Sequence, residues 1–278
     1  MAPPVIDVIR AAQATHEVTG NAYERDPDLT ASGEAQAARL GRAYREGVGM
    51  RRVSHVVSSP LRRAARTALI AFEEVLLGGK AVVLLPELQG TGVLPNDTGH
   101  SPAALRAAFR PQVDTSLLDP DWHYKGQGSK YVPDAGLVEA RAREARVFLR
   151  GLARAAPEDA RIVVVGHGAF LHFLTGDFAG LSGDDNAADA AAATAYGNAA
   201  MRSFRFVDLS GTADADADAT MVETEESCRR SGLPRYVGLG GAERERLRSY
   251  AVARVQRQKR DFDKMTRCNR PQVQTHVF

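Results

Sequence analysis

Short apolar runs rich in β-branched residues alternate along the chain with longer stretches rich in alanine, arginine and leucine. Each run is apolar nearly throughout, as is typical of strands buried on both faces. The runs are Val5–Ile9, Val53–Ser58, Ala81–Leu85 and Ile162–Val165. The stretches between them predict helices at about 31–47, 60–77, 101–110 and 135–155. This alternation predicts a three-layer α/β/α sandwich with a mostly parallel central sheet.

The pattern changes after the last of these helices. Ser203–Leu209 and Thr220–Glu223 predict a hairpin-like pair of strands. The segment between them, Gly211 to Ala219, alternates alanine and aspartate. We interpret it as a solvated loop rather than a metal site, because nothing in it fixes a coordination geometry.

We treat residues 1–278 as one domain in which two segments stand apart from the predicted sandwich. Residues 90–134 form a long insertion on the substrate side, and its aromatic residues, Trp122 among them, either line a pocket or anchor the loop. Residues 242–278 comprise a basic helix, over about 242–265, and a tail. That helix either packs on the domain or binds a partner.

Composition narrows the class of protein. The 278 residues are 44% hydrophobic and 25% charged, which is typical of a globular domain with a sizeable core. The net charge of +2 gives no sign of a nucleic-acid partner. No apolar run approaches the roughly 18 residues of a membrane span. The two cysteines suggest neither a disulfide framework nor a zinc site, and the first residues show no secretion signal, so we expect a cytoplasmic protein.

The ends of the predicted strands carry the candidate chemistry. Arg10 follows the first strand, Arg62 and Arg63 follow the second, and His167 follows the fourth between two glycines. Ligands of open α/β sheets bind beyond the carboxyl ends of the strands. Guanidinium groups match phosphate and carboxylate oxygens. The sequence therefore predicts a pocket for a small anionic molecule.

Five segments with distinctive residues follow one another in the chain between residues 5 and 207: Ile9–Gln13, Asp26–Ala37, Ser58–Ala68, Val165–Gly168 and Asn198–Ala199. In this order they resemble the motifs of the histidine phosphatase superfamily, the phosphoglycerate mutase-like fold. Leu85–Gln89 and Asn96–Gly99 are similar to the fungal-type branch of that superfamily.

The resemblance implies hydrolysis of a phosphate monoester through a phosphohistidine at position 11. Arg10, Arg62 and His167 would hold the phosphoryl oxygens, and Gln13 would hydrogen-bond the transferring group. It implies neither a metal ion nor a cofactor, because cationic side chains neutralise the phosphoryl group.

The chain departs from the family pattern at the nucleophile. Position 11 carries Ala11 where the family has histidine, and a methyl group cannot attack phosphorus. Two origins of this residue stay open: an exchange introduced to trap a ligand, and a natural loss. In either case we expect this chain to be inactive in covalent phosphoryl transfer.

Three further departures concern the surrounding site. Glu17 stands where the family often has a phosphate-contacting asparagine, and Ala200 where this branch often has glutamate. Gly90 occupies the place of the general acid, so Asp97, or else Glu87, would have to protonate the leaving oxygen.

Three functions follow from these residues. The parent with histidine at position 11 would be a phosphatase acting on a small phosphate monoester. A repurposed enzyme would instead perform acid–base chemistry on an acidic metabolite, with His16 and Glu17 as a proton-transfer pair. A non-catalytic pseudoenzyme would bind a phosphorylated ligand. The substrate and the oligomeric state, including a homo-oligomer, stay open.

Overall fold

Seven strands form one sheet in the computed structural model, which describes residues 2–181, 196–210, 216–233 and 235–268. The strands are β1 Val5–Arg10, β2 Val53–Ser58, β3 Val82–Leu84, β4 Val113–Asp114, β5 Arg161–Gly166, β6 Met201–Phe206 and β7 Met221–Glu223. Their order is β4-β3-β2-β5-β1-β6-β7. The first five in that order pair in parallel, whereas β6 and β7 are antiparallel. The predicted mostly parallel sheet is confirmed.

Helices cover both faces of the sheet. They are α1 Thr15–Thr19, α2 Ala31–Gly47, α3 Arg62–Ala71, α4 Glu73–Leu77, α5 Pro102–Phe109, α6 Ala135–Ala155, α7 Gly168–Thr175, α8 Glu225–Ser231 and α9 Gly241–Cys268. The predicted helix at 60–77 is two helices, because the backbone of Phe72 leaves helical geometry between α3 and α4. No helix of the described residues is both long and apolar enough to cross a membrane.

The core lies in two layers, one on each side of the sheet. Alternating residues of β1 point to opposite layers: Ile6 and Val8 to one, Ile9 to the other. The first layer packs against α6, α7 and α9, and the second against α2 and α3. Both faces of the central strands are therefore buried, which explains their continuous apolar runs.

The insertion at residues 90–134 and the helix predicted at about 242–265 both pack against the core. Trp122 in the 90–134 insertion is 1% exposed and packs in the second core layer, so it anchors the loop. Leu247, Ala251 and Val255 bury one face of α9 against the first layer. This face of α9 therefore packs on the domain. Residues 211–215 of the predicted loop and 269–278 of the tail lie outside the described part of the chain.

A buried ion cluster ties the antiparallel edge to the rest of the sheet. The Arg202 guanidinium, on β6, donates to both oxygens of Glu223 at 3.0 and 2.6 Å and to Asp177 at 2.8 Å. It also lies against the ring of Tyr196, with 5.3 Å to the centroid. The backbone oxygen of Tyr196 in turn accepts a hydrogen bond from Arg10. The cluster therefore helps to hold Arg10 in place at the end of β1.

A buried carboxylate at the start of α3 should make stability depend on pH. Oδ1 of Asp26 accepts the backbone N–H of Arg62 at 2.9 Å, while its buried Oδ2 has no hydrogen-bond partner among the described residues. Burial raises the pKa of Asp26 from 3.8 to about 6. Its favourable contribution is therefore complete below about pH 3.8 and is lost as the pH rises through about 6.

We accordingly expect Asp26→Asn to stabilise the fold near pH 7.5, by up to about 3 kcal/mol, and to change little near pH 4. Asparagine keeps the acceptor for Arg62 and suits the positive φ of 46° at this position. Urea unfolding of both proteins across pH 4 to 8 measures the difference. A difference that does not vary with pH would show that Asp26 is not the titrating group.

Candidate anion-binding site

A cavity of about 190 Å³ opens at the carboxyl ends of β1, β2 and β5. Its volume is below the roughly 300 Å³ at which pockets for drug-sized ligands begin, so it suits a small molecule. The lining residues come from several elements, and those that bear on the chemistry are Arg10, Ala11, His16, Glu17, Arg63, Gly90, Asp97, His167, Arg254 and Gln258.

Arg10 is paired with an internal carboxylate. Its Nη2 lies 2.5 Å from Oε1 of Glu17, and its Nη1 donates to the Tyr196 carbonyl at 2.8 Å. The other Glu17 oxygen accepts the Ala14 backbone N–H at 3.0 Å and the Asn198 amide at 3.2 Å. Glu17 is thus held by three donors and acts as the counter-ion of Arg10.

Arg63, in the first turn of α3, makes the second ion pair of the cavity. Its guanidinium donates to Oδ1 of Asp97 at 2.6 Å and to the Asn96 carbonyl at 2.7 Å. The other Asp97 oxygen accepts the Gly92 N–H at 2.9 Å. Burial disfavours the charged carboxylate, but the charges of Arg63 and Lys125 outweigh it and hold the pKa of Asp97 well below its ordinary value. Asp97 is therefore ionised at neutral pH.

The carboxylate of Asp97 fills the space beside Gly90. A Cβ atom added to Gly90 would lie 2.5 Å from Oδ2 of Asp97, which is closer than real Cβ contacts come. The absence of a side chain at position 90 is what lets this carboxylate reach the cavity.

Two histidines line the cavity in their neutral form. His167 caps α7, and its Nε2 lies 2.9 Å from the hydroxyl of Ser59. Burial, followed by the charge of Arg63, lowers the pKa of His167 well below its ordinary value. The same two causes lower the pKa of His16, whose buried Nδ1 has no partner among the described residues.

Ala11 sits between these groups without a functional side chain. It is 4% exposed, directly follows β1, and donates its backbone N–H to the carbonyl of Gly166 at 2.8 Å. Arg10, Arg63 and His167 line the same cavity. The site is therefore a set of cationic and hydrogen-bonding groups around a methyl group.

Comparison with known proteins decides the family. The model of the histidine phosphatase superfamily, branch 1, matches residues 6–205. The chain belongs to the histidine phosphatase superfamily. No curated protein matches the chain.

Solved structures of the superfamily fold resemble the chain at low sequence identity. An ecdysone phosphate phosphatase from Bombix mori, in complex with tungstate, is 16% identical, with a TM-score of 0.52 over 73% of this chain and 89% of that chain. A phosphoserine phosphatase mutant from Entamoeba histolytica, in complex with phosphoserine, is 18% identical, with a TM-score of 0.45 over 80% and 95%. A mycobacterial glucosyl-3-phosphoglycerate phosphatase with VO3 is 22% identical, with a TM-score of 0.44 over 73% and 93%. The first of these supports the superfamily fold.

The structure corrects the position predicted for the second arginine. Arg62 does not line the cavity; its guanidinium pairs with Asp28 at 2.6 Å, and Arg63 takes the expected place. The sequence contains a signal that favours Arg63 over Arg62. Thr67 lies one helical turn after Arg63, so the two side chains share one face of α3. The Thr67 hydroxyl accepts the N–H of Ala12 at 3.0 Å, so this face of α3 packs against the end of β1.

Two other predicted residues lie outside the cavity lining. The side-chain oxygen of Gln13 accepts the Thr30 hydroxyl at 2.9 Å, which directs it toward the start of α2. Glu87 pairs with Lys130 at 2.9 Å. His16, Glu17, Asp97 and His167 all line the cavity. Arg254 and Gln258, which α9 supplies, line it as well, although no motif of the sequence indicates them.

The described lining residues do not form a metal site. No group of three or more histidine, cysteine, aspartate or glutamate side chains in the described part of the chain is arranged to hold a metal ion. Three arginines and two carboxylates line the cavity, and its two histidines are neutral. The lining therefore carries a small positive charge supplied by arginine.

Proposed function

We propose that this cavity binds a small phosphate ester and does not transfer its phosphoryl group to the protein. One observation carries the proposal: Arg10, Arg63 and His167 converge on the position that in this superfamily holds the nucleophile, and here that position is Ala11. Guanidinium groups bind phosphate oxygens with charge-assisted hydrogen bonds, and these donors remain.

Two features argue against turnover by this chain. The methyl group of Ala11 cannot form a covalent bond to phosphorus. The carboxyl group of Asp97 is ionised beside Arg63, so it holds no proton for a leaving oxygen. Binding needs neither group, because the cationic side chains provide it.

The phosphoryl group would displace Glu17 from Arg10, or share Arg10 with it. Glu17 is a fixed negative charge on the guanidinium, so it opposes an incoming anion. At an effective dielectric near 20, a like charge about 6 Å away costs roughly 3 kcal/mol before screening. Phosphate therefore competes with the Glu17 carboxylate for Arg10.

We expect Glu17→Gln to tighten phosphate binding about tenfold, because glutamine keeps the size but not the charge. Its single carbonyl oxygen can still accept from Ala14 and Asn198, while its NH2 group replaces the oxygen that is paired with Arg10. Calorimetry with inorganic phosphate measures the change, which should shrink as salt is added. Glu24→Gln is the matched control, because Glu24 accepts from Thr15 and does not line the cavity. Equal affinity of the Glu17→Gln protein and wild type would contradict the assignment of Glu17 as an internal competitor.

The two neighbouring arginines give the direct test of the proposal. We expect Arg63→Ala to weaken binding of inorganic phosphate at least 30-fold, because it removes charge-assisted hydrogen bonds worth about 1.5–3 kcal/mol and leaves Asp97 unpaired in the cavity. Arg62→Ala removes the same charge one residue away, outside the cavity, and should change the affinity less than threefold. Thermal melts of both variants establish that they are folded.

The outcome can overturn the proposal in two ways. Wild-type protein that binds no phosphate would show that the cavity does not recognise this anion. Equal losses in the Arg62→Ala and Arg63→Ala proteins would show that the effect comes from general charge and not from this site.

The acid–base interpretation with His16 and Glu17 has less support. Both oxygens of Glu17 already accept hydrogen bonds, from Arg10, Ala14 and Asn198. The Glu17 carboxylate is therefore engaged with groups of the protein itself and is not directed at a ligand. We therefore place phosphate-ester binding first.

A further inference from the structure

The last described helix supplies one wall of the cavity from outside the segment that the superfamily model matches. That match ends at residue 205, whereas α9 begins at Gly241. Arg254 and Gln258, one helical turn apart, line the cavity. Leu247, Ala251 and Val255 on the same helix are buried in the core, so the position of this wall is fixed by packing.

Arg254 differs from the two other arginines of the cavity in its pairing. Arg10 and Arg63 each contact a carboxylate within 2.6 Å. Arg254 is half-buried and makes no ion pair or hydrogen bond with any residue of the described chain. Burial lowers its pKa, and so do the charges of Arg10 and Arg257. A cation in this position is unfavourable until an anion reaches it.

Gln258 presents a second unsatisfied group beside it. Its Oε1 is buried and has no hydrogen-bond partner among the described residues. An acceptor without a donor costs free energy that a ligand hydroxyl or amine would recover. Arg254 and Gln258 therefore suit a ligand that has an acidic group with a hydrogen-bond donor close to it.

We propose that Arg254 and Gln258 determine specificity by binding an acidic substituent of the ligand distinct from its phosphoryl group. This inference rests on the proposed phosphate site at Arg10, Arg63 and His167. The preferred ligand is then a small phosphate ester carrying a second acid, because a neutral substituent would leave Arg254 unpaired. The wall that selects it belongs to α9.

A pair of probes that differ by one acidic group tests this. Phosphoglycolate and ethyl phosphate share the phosphoryl group and nearly the same length, but only the first has a carboxylate. We expect wild-type protein to bind phosphoglycolate at least tenfold more tightly, by calorimetry. Arg254→Gln should reduce this preference to below threefold and change the affinity for ethyl phosphate much less.

Arg257→Gln is the matched control, because it removes the same charge from an exposed position on the same helix and should leave the preference intact. Gln258→Leu should weaken binding of a phosphorylated acid that carries a hydroxyl, such as 3-phosphoglycerate, more than binding of phosphoglycolate. If Gln258→Leu weakens binding of the two phosphorylated acids equally, Gln258 does not bind the hydroxyl and its proposed role is refuted.

The result separates this inference from the function on which it rests. If neither probe binds to wild type, the phosphate site itself is refuted. If both bind and Arg63→Ala weakens both, but the preference is absent or survives Arg254→Gln, only the role of Arg254 is refuted. If Arg254→Gln weakens both probes equally, Arg254 contributes a general positive field and does not select the second acid.

Discussion

Introducing a histidine by Ala11→His is expected to give the protein activity on aryl phosphates, at least a thousandfold above that of the unmodified chain. One member of a catalytic unit can be worth on the order of a million-fold in rate, and Arg10, Arg63 and His167 line the same cavity as position 11. Aryl phosphates are the appropriate substrates, because an aryl leaving group departs without a proton and Asp97 is ionised. The release of p-nitrophenol and an acid-labile phosphoprotein are the measurements.

The control for this experiment keeps the bulk and removes the nucleophile. Ala11→Gln should bind phosphate and release no p-nitrophenol. Combining Ala11→His with Arg63→Ala should abolish the gained activity. An Ala11→His protein that is folded and binds phosphate, yet forms no phosphoenzyme, would show that the cavity has lost the geometry for phosphoryl transfer.

Removing the buried guanidinium of Arg202 is expected to destabilise the fold by about 3–5 kcal/mol. Arg202→Met leaves the carboxylates of Asp177 and Glu223 buried without the cation that pairs them, and Arg202 itself is only 2% exposed. The free energy of unfolding in urea measures the loss. Phosphate binding should weaken as well, since Tyr196, which packs on Arg202, holds Arg10 through its carbonyl.

Further variants separate two causes of the lost stability: the unpaired buried carboxylates and the lost packing contacts of Arg202. Adding Asp177→Asn and Glu223→Gln to Arg202→Met removes the unpaired charges, and should recover at least half of the lost stability. Arg205→Met, on the same strand but only half-buried, should cost less than about 1 kcal/mol. No recovery in the triple variant would mean that the lost contacts of the side chain, and not its charge, set the cost.

The fold was predictable because its central strands are buried on both faces. Val5–Ile9 is apolar except for Asp7, and Ile162–Val165 is apolar throughout, which is typical of a parallel sheet covered on both faces. The break at Phe72 was not predictable, because Phe72 is an ordinary helix residue whose backbone is set by packing in the second core layer. At Phe72, tertiary packing therefore outweighs the intrinsic helix propensity of the sequence.

The site was predictable only as far as strand ends define it. Arg10 and His167 follow from their positions at strand ends, whereas Asp97 is proposed from the family pattern, whose usual acid is missing at Gly90. The choice between Arg62 and Arg63 depends on where α3 begins, because neighbouring helical residues point about 100° apart. Glu87 lies close to the site in sequence, but its side chain reaches Lys130 instead. Arg254 is remote in the chain, and no local pattern shows which end of the sheet a later helix crosses.

The contact between Gly90 and Asp97 makes these two positions epistatic. A Cβ atom at position 90 would meet three atoms of the Asp97 carboxyl group within 2.7 Å, so Gly90→Glu requires the aspartate side chain to move. Arg63 and the N–H of Gly92 hold that side chain in place and oppose the movement. Asp97→Ala removes all three contacting atoms, so the identity of one position constrains which residues the other can accept.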